Sequence, residues 1–173
     1  MTAPPRTAEA FRDDVFARYG LTPEARALLR GTRLRIADLS APHGGGLWFG
    51  PRENRIELHG AQDEALLHEY AHAWADLTGF YDEREPHGPP WPTRNRAFRA
   101  DVTRAAHESD HRYARAAYLA SEYTYGNPIT GFRGMGENDA ERFAGLASGC
   151  MGDLRLLPPY LRRWYRGLFR LPD

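Results

Sequence analysis

Leu66-Leu67-His68-Glu69-Tyr70-Ala71-His72-Ala73-Trp74-Ala75-Asp76-Leu77 is the stretch on which the reading of this 173-residue chain turns. Its apolar residues (Leu66, Leu67, Tyr70, Ala71, Ala73, Trp74 and Leu77) surround the polar ones, as in a helix running through a core. His68 and His72 are four residues apart, so on a helix both imidazoles share a face and can grip one metal ion. Glu69 stands beside that face, placed to take a proton from a water held by the metal. Burial of such a helix holds its ligands rigid and keeps bulk water away.

A second copy of the spacing, His107-Glu108-Ser109-Asp110-His111, sits among Arg104, Ser109, Asp110 and Arg112. Those neighbours predict a solvated helix face carrying two surface histidines. His43 lies in a glycine-rich loop with no partner in sequence, and His87 in a proline-rich loop, where solvent exposure is expected.

A catalytic zinc commonly takes three protein ligands and leaves a fourth place to water, so a third ligand is needed from elsewhere. Residues 137–144 read Glu137-Asn138-Asp139-Ala140-Glu141-Arg142-Phe143-Ala144. On a helix Glu137 and Glu141 share a face, and such a like-charged pair is disfavoured without a reason. Ala140 and Ala144 close to that face allow near approach to the metal helix. The expectation is Glu137 as ligand and Glu141 as acceptor for the outer N–H of a metal-bound histidine. The reverse, Glu141 as ligand with Glu137 exposed, is the nearest alternative. Asp139 falls off the shared face and reads as a helix-start acid.

Around these motifs the chain alternates short elements and turns. Residues 1–6 read as a loose tail. Ala10, Phe11, Val15, Phe16 and Tyr19 recur at helical spacing up to Gly20, and Thr22-Pro23-Glu24 starts another short helix. Thr32 to Leu39 alternates with period two and predicts a strand. Leu47-Trp48-Phe49 and Arg55-Ile56-Glu57-Leu58 flank Gly50-Pro51-Arg52-Glu53-Asn54, a hairpin signal leading into the metal helix. Thr78-Gly79 closes that helix. Residues 80–93 form a loop with Pro89-Pro90-Trp91-Pro92. Thr93 to about Tyr123 is helical, broken near Glu108-Ser109-Asp110. Residues 124–136 are a glycine-rich loop, a helix runs from Glu137 to about Cys150, and Pro158 to Phe169 is amphipathic. There is no internal repeat and no domain boundary, so a single domain spanning 1–173 is expected.

Composition excludes several classes. The 23 basic and 23 acidic residues cancel, which argues against a nucleic-acid or anionic-membrane partner. The arginines at 162, 163, 166 and 170 fit the wet face of an amphipathic helix. Cys150, the only cysteine, leaves no internal disulfide and no thiolate cluster, and its small-residue surroundings predict buried packing. No apolar run follows the first residues and none is long enough to cross a membrane, so the expected compartment is cytoplasmic.

The order His68-Glu69-x-x-His72, then Ser121-x-Tyr123-x-x-x-Asn127-Pro128, then Glu137-x-x-Ala140-Glu141-x-Phe143-Ala144 resembles the gluzincin metallopeptidases, in particular the group similar to the anthrax lethal factor catalytic domain. The resemblance covers roughly residues 45–150. It implies an α+β zincin-like domain, with a small mixed or antiparallel sheet packed on the active-site helix and a mostly helical C-terminal half. It implies Zn2+ held by His68, His72 and Glu137, Glu69 as general base, and a tyrosine aiding the transition state. The Ser-x-Tyr-x-x-x-Asn-Pro pattern selects Tyr123, with Tyr125 as the other choice. The expected activity is endopeptidase hydrolysis of a peptide or protein substrate, held as an added strand on the hairpin edge. A module of the same fold that binds zinc and a partner without cleaving peptides is the alternative.

Overall fold

Two threonines start the first two helices, and for the same reason. In the computed structural model, which describes residues 7–41, 43–84, 93–136 and 138–172, each Thr hydroxyl accepts a backbone N–H three residues on. Helix α1 spans Ala8–Arg18 and α2 spans Pro23–Arg30, where Pro23 fits the first turn because the missing N–H would have had no partner. The N-terminal tail, His87, the Pro89–Pro92 loop and Glu137 lie outside the described residues.

Strands β1 (Arg33–Asp38), β2 (Gly46–Trp48) and β3 (Arg55–Gly60) make a three-stranded sheet in the order β1-β3-β2. The predicted hairpin forms: β2 runs antiparallel to β3, with Leu47 opposite Glu57. β1 lies parallel to β3 on the other side, with Leu34 opposite Ile56, which makes the sheet mixed and β2 one of its edges. Ile56 and Leu58 point from the central strand into the core, while Arg55 and Glu57, alternating with them, stay partly exposed.

Helix α3 (Asp63–Leu77) packs against this sheet, against α1 and α2, and most extensively against α6 (Asp139–Gly149). Small residues make that approach possible: Ala71, Ala73 and Ala75 on α3, and Ala140, Ala144, Gly145, Ala147 and Ser148 on α6, are all buried. The remaining elements are a two-stranded pair β4 (Glu83–Arg84) and β5 (Thr93–Arg94), α4 (Arg96–Ala105), α5 (Ala114–Tyr125) and α7 (Pro159–Tyr165), with short 3-10 turns at His111–Tyr113 and Leu154–Leu156. The helical region after residue 93 is thus interrupted where Ser109 and Asp110 were expected to break it. The architecture is mixed α+β. No helix among the described residues is long and apolar enough to cross a membrane.

Phe143 is the centre of the aromatic core. It stacks on Trp74 of α3 (5.7 Å) and on Tyr165 of α7 (4.5 Å), and also meets Phe80 and Phe98. The Tyr165 hydroxyl donates to the Phe143 carbonyl at 3.0 Å, which satisfies the polar end of a fully buried ring. Cys150 is buried and free, and burial pushes its thiol pKa up to about 12. It is packing, as its neighbours in sequence suggested.

Candidate metal centre

The first turn of α6 is fixed before it presents anything to α3. Asn138 caps the helix by accepting the Glu141 N–H at 3.2 Å, and Thr93 of β5 donates to the same Asn138 oxygen at 3.1 Å while accepting the Ala140 N–H. Asp139 is fully buried. It accepts from the Asn95 backbone N–H at 2.8 Å and pairs with Arg99 at 2.9 Å and Arg142 at 3.1 Å. Asp139 stands in the first turn of α6, the helix-start acid that was expected, and its burial makes it also the hub of an ion network with Arg99 and Arg142 that anchors the helix.

Glu141, three positions beyond the cap, then meets the histidine pair. Its Oε2 lies 3.2 Å from His68 Nε2, its Oε1 lies 2.9 Å from His72 Nε2, and the two Nε2 atoms stand 3.2 Å apart. The helix that carries Glu141 runs from Asp139 to Gly149 with Asn138 as cap, and Glu137, the expected ligand, lies outside the described residues. Glu141 also differs from its expected part. It faces the inner Nε2 atoms, whereas the outer Nδ1 of His68 lies 3.4 Å from the Ser148 hydroxyl, which donates onward to the Gly145 carbonyl. A tautomer with the proton on Nδ1, donated to Ser148, would leave the Nε2 lone pair for an ion.

His68, His72 and Glu141 are the described residues that could hold a metal ion. Ligand atoms about 2.0–2.1 Å from a tetrahedral zinc lie about 3.3 Å from one another, so donor separations of 2.9–3.2 Å fit such an ion with little adjustment. Two imidazole nitrogens and a carboxylate oxygen are also the donor types that suit zinc. The site is half-buried, with side-chain exposures of 22% for His68, 12% for His72 and 32% for Glu141, so one side stays open to an incoming molecule. Burial works against charge on both Glu141 and His72. Their mutual hydrogen bond and attraction win: Glu141 is held well below the usual carboxylate range and His72 is raised.

Glu69 is buried beside the cluster, and burial raises its pKa while His72 and His68 pull the other way. Strand β2 roofs it. A Cβ at Gly46 would fall 2.8 Å from Glu69 Cγ, so only glycine lets the strand pass so close. A backbone hydrogen bond at Trp48 reaches the Glu69 carboxylate, and the Trp48 indole donates to Asp76 at 2.6 Å, one turn beyond His72 on α3. The hairpin edge is thereby pinned along the helix that carries the histidines.

Tyr123 of α5 lies over α6. A Cβ at Gly145 would sit 2.5 Å from its hydroxyl oxygen, so the phenol rests on the backbone one turn beyond Glu141. Tyr125 points elsewhere: its ring is exposed and its hydroxyl lies 3.0 Å from His107. The second histidine motif does not assemble. α4 ends at Ala105, His111 falls in a 3-10 turn with its side chain 96% exposed, and Glu108 accepts from Tyr160. His43 is exposed, as expected.

No family model, no curated protein and no solved structure matches the chain. The site's own chemistry carries the functional reading.

Proposed function

We propose that the chain is a zinc-dependent peptidase on a zincin-like fold, acting in the cytoplasm on a peptide or protein substrate. The observation that carries this reading is the convergence of His68 Nε2, His72 Nε2 and the Glu141 carboxylate beside a buried, otherwise unexplained glutamate on the same helix. A purely structural site has no use for Glu69 there. His68, His72 and Glu141 would hold the ion, and Glu137 keeps the place given to it by the family resemblance as the competing third ligand.

Bound zinc supplies Lewis acidity, polarising a carbonyl and lowering the pKa of a water it holds. Glu69 would take a proton from the attacking water as its oxygen bonds to the scissile carbonyl carbon. It would then deliver that proton to the amine nitrogen as the C–N bond breaks, so one water is consumed per peptide bond. A Glu pKa raised by burial suits this double duty. Tyr123 donates a hydrogen bond to the oxyanion that forms on the carbonyl oxygen. Strand β2 is an edge of the sheet, along which an extended substrate would add as a strand.

The test is cleavage of a proteome-derived peptide library by zinc-loaded protein, read by mass spectrometry, with Glu69→Gln alongside. The expected result is a defined set of cut sites with wild type and none with the variant, both proteins carrying zinc. Zinc-loaded wild type that cuts nothing would leave a zinc-holding partner-binding module as the reading.

A further inference from the structure

Tyr123, whose phenol rests on Gly145 one turn beyond Glu141, also lines a second concavity. This cleft of about 480 Å³ is formed with Glu122, Thr130, Gly131 and Phe132. One part of its wall is aromatic, since Tyr123 and Phe132 meet edge to face with centroids 5.8 Å apart. Another part is a carboxylate. Glu122 Oε1 accepts from Asn127 Nδ2 at 3.1 Å and from the Tyr118 hydroxyl at 3.4 Å, which pins the group and leaves Oε2 without a protein donor among the described residues.

The loop that completes the cleft is held in shape. Asn127 N–H donates to the Phe132 carbonyl at 2.7 Å, and Met135 N–H donates to the Tyr123 carbonyl at 2.9 Å. Gly126, at φ +84°, packs backbone on backbone, and a Cβ there would meet the Phe132 oxygen at 2.3 Å. Among the described residues no cation lines the cleft, and Arg133, the next residue along the loop, is exposed. Glu141 and Glu64 add negative potential at Tyr123, whose phenol pKa is raised first by burial and then by these carboxylates and Glu122.

We propose that this cleft is the specificity pocket of the site and takes an arginine or lysine side chain from the substrate. The apolar stem lies against Phe132 and Tyr123, and the cation reaches the open oxygen of Glu122. Rings that face a cation attract it, and long basic side chains bury their stems while keeping the head at a polar partner. An apolar side chain in the same place strips water from Glu122 without replacing it, and an acidic one is repelled. The inference rests on the peptidase reading, because the pocket selects substrate only where the cluster cleaves it.

The experiment measures kcat/KM on three matched peptides, with lysine, leucine or glutamate at the position that the library profile ties to the pocket. It uses zinc-loaded wild type, Glu122→Gln and Glu122→Arg. Wild type is expected to prefer lysine, Glu122→Gln to lose about tenfold on the lysine peptide with the leucine peptide unchanged, and Glu122→Arg to favour an acidic residue there. Cleavage with no enrichment of basic residues, or a lysine preference that survives Glu122→Gln, overturns the pocket assignment alone. Failure of the zinc-loaded wild type to cleave any peptide overturns the peptidase reading and the pocket with it.

Discussion

At the scale of single residues the site is built from groups that each need a neighbour's absence or restraint. Glu69 is buried under β2 because residue 46 has no side chain, and His68 is held at its outer nitrogen by Ser148 while its inner one faces Glu141 and His72. Replacing Glu69 by Gln removes the base and leaves every metal donor. Zinc content should stay at wild-type level while turnover falls about 10²–10⁴-fold, and a Gln variant as active as wild type would rule Glu69 out as the base. Gly145 gives a sharper test of Tyr123. The added methyl of Gly145→Ala meets the phenol, which must swing away. Gly145→Ala should lower turnover about as much as Tyr123→Phe does, and the two changes together should cost little more than one. Strictly additive losses would mean that Gly145 acts on something other than the tyrosine. At this scale the sequence was most informative where chemistry is periodic, since His68, Glu69 and His72 need only a helix. It was least informative for Ser148, a residue 80 positions away from His68 with no motif to mark it. Where α6 begins was not legible either: Asn138 and the residues before it all suit a helix start by type, and the cap at Asn138 is fixed by its bond from Thr93 of β5, 45 positions earlier.

At the scale of elements the centre depends on how α6 is delivered to α3. The start of α6 is clamped by Asp139 with Arg99 and Arg142, and its middle by Phe143 between Trp74 and Tyr165. Asp139→Ala leaves Arg142, which is 3% exposed, without its carboxylate partner. The expected loss in denaturant unfolding is about 3–5 kcal/mol, and zinc affinity should fall as well because Glu141 rides on the same turn. A change below 1 kcal/mol would mean that the ion network contributes little to placing the helix. This clamp could not be read in advance, since Arg99 and Asp139 are distant in sequence and each looks like an ordinary surface residue. The β2–β3 hairpin was readable from Gly50-Pro51 and its flanks. The parallel placement of β1 was not, because strand alternation fixes which face is buried and says nothing of the neighbour.

At the scale of the whole molecule, one mixed sheet and one aromatic core put the histidine helix between the edge strand β2 and the helix α6. That arrangement follows from residues legible in the sequence: the apolar spacing around His68, the small residues of α6, and the aromatic residues at 74, 143 and 165. Cys150 reports on this core as a whole. It is 2% exposed, and burial holds its thiol protonated. A thiol reagent such as Ellman's should therefore modify it only as fast as the protein unfolds, and rapid labelling of the native protein would contradict the packing of α6 against the C-terminal segment. The central claim concerns the ion. Its most direct test is elemental analysis of zinc per chain in wild type, His72→Ala, Glu141→Ala, Glu137→Ala and His111→Ala, prepared side by side. The account predicts near one zinc in wild type and His111→Ala, loss in His72→Ala, and a larger loss in Glu141→Ala than in Glu137→Ala. Zinc lost only in His111→Ala, or no zinc in any preparation after metal is added, would contradict it.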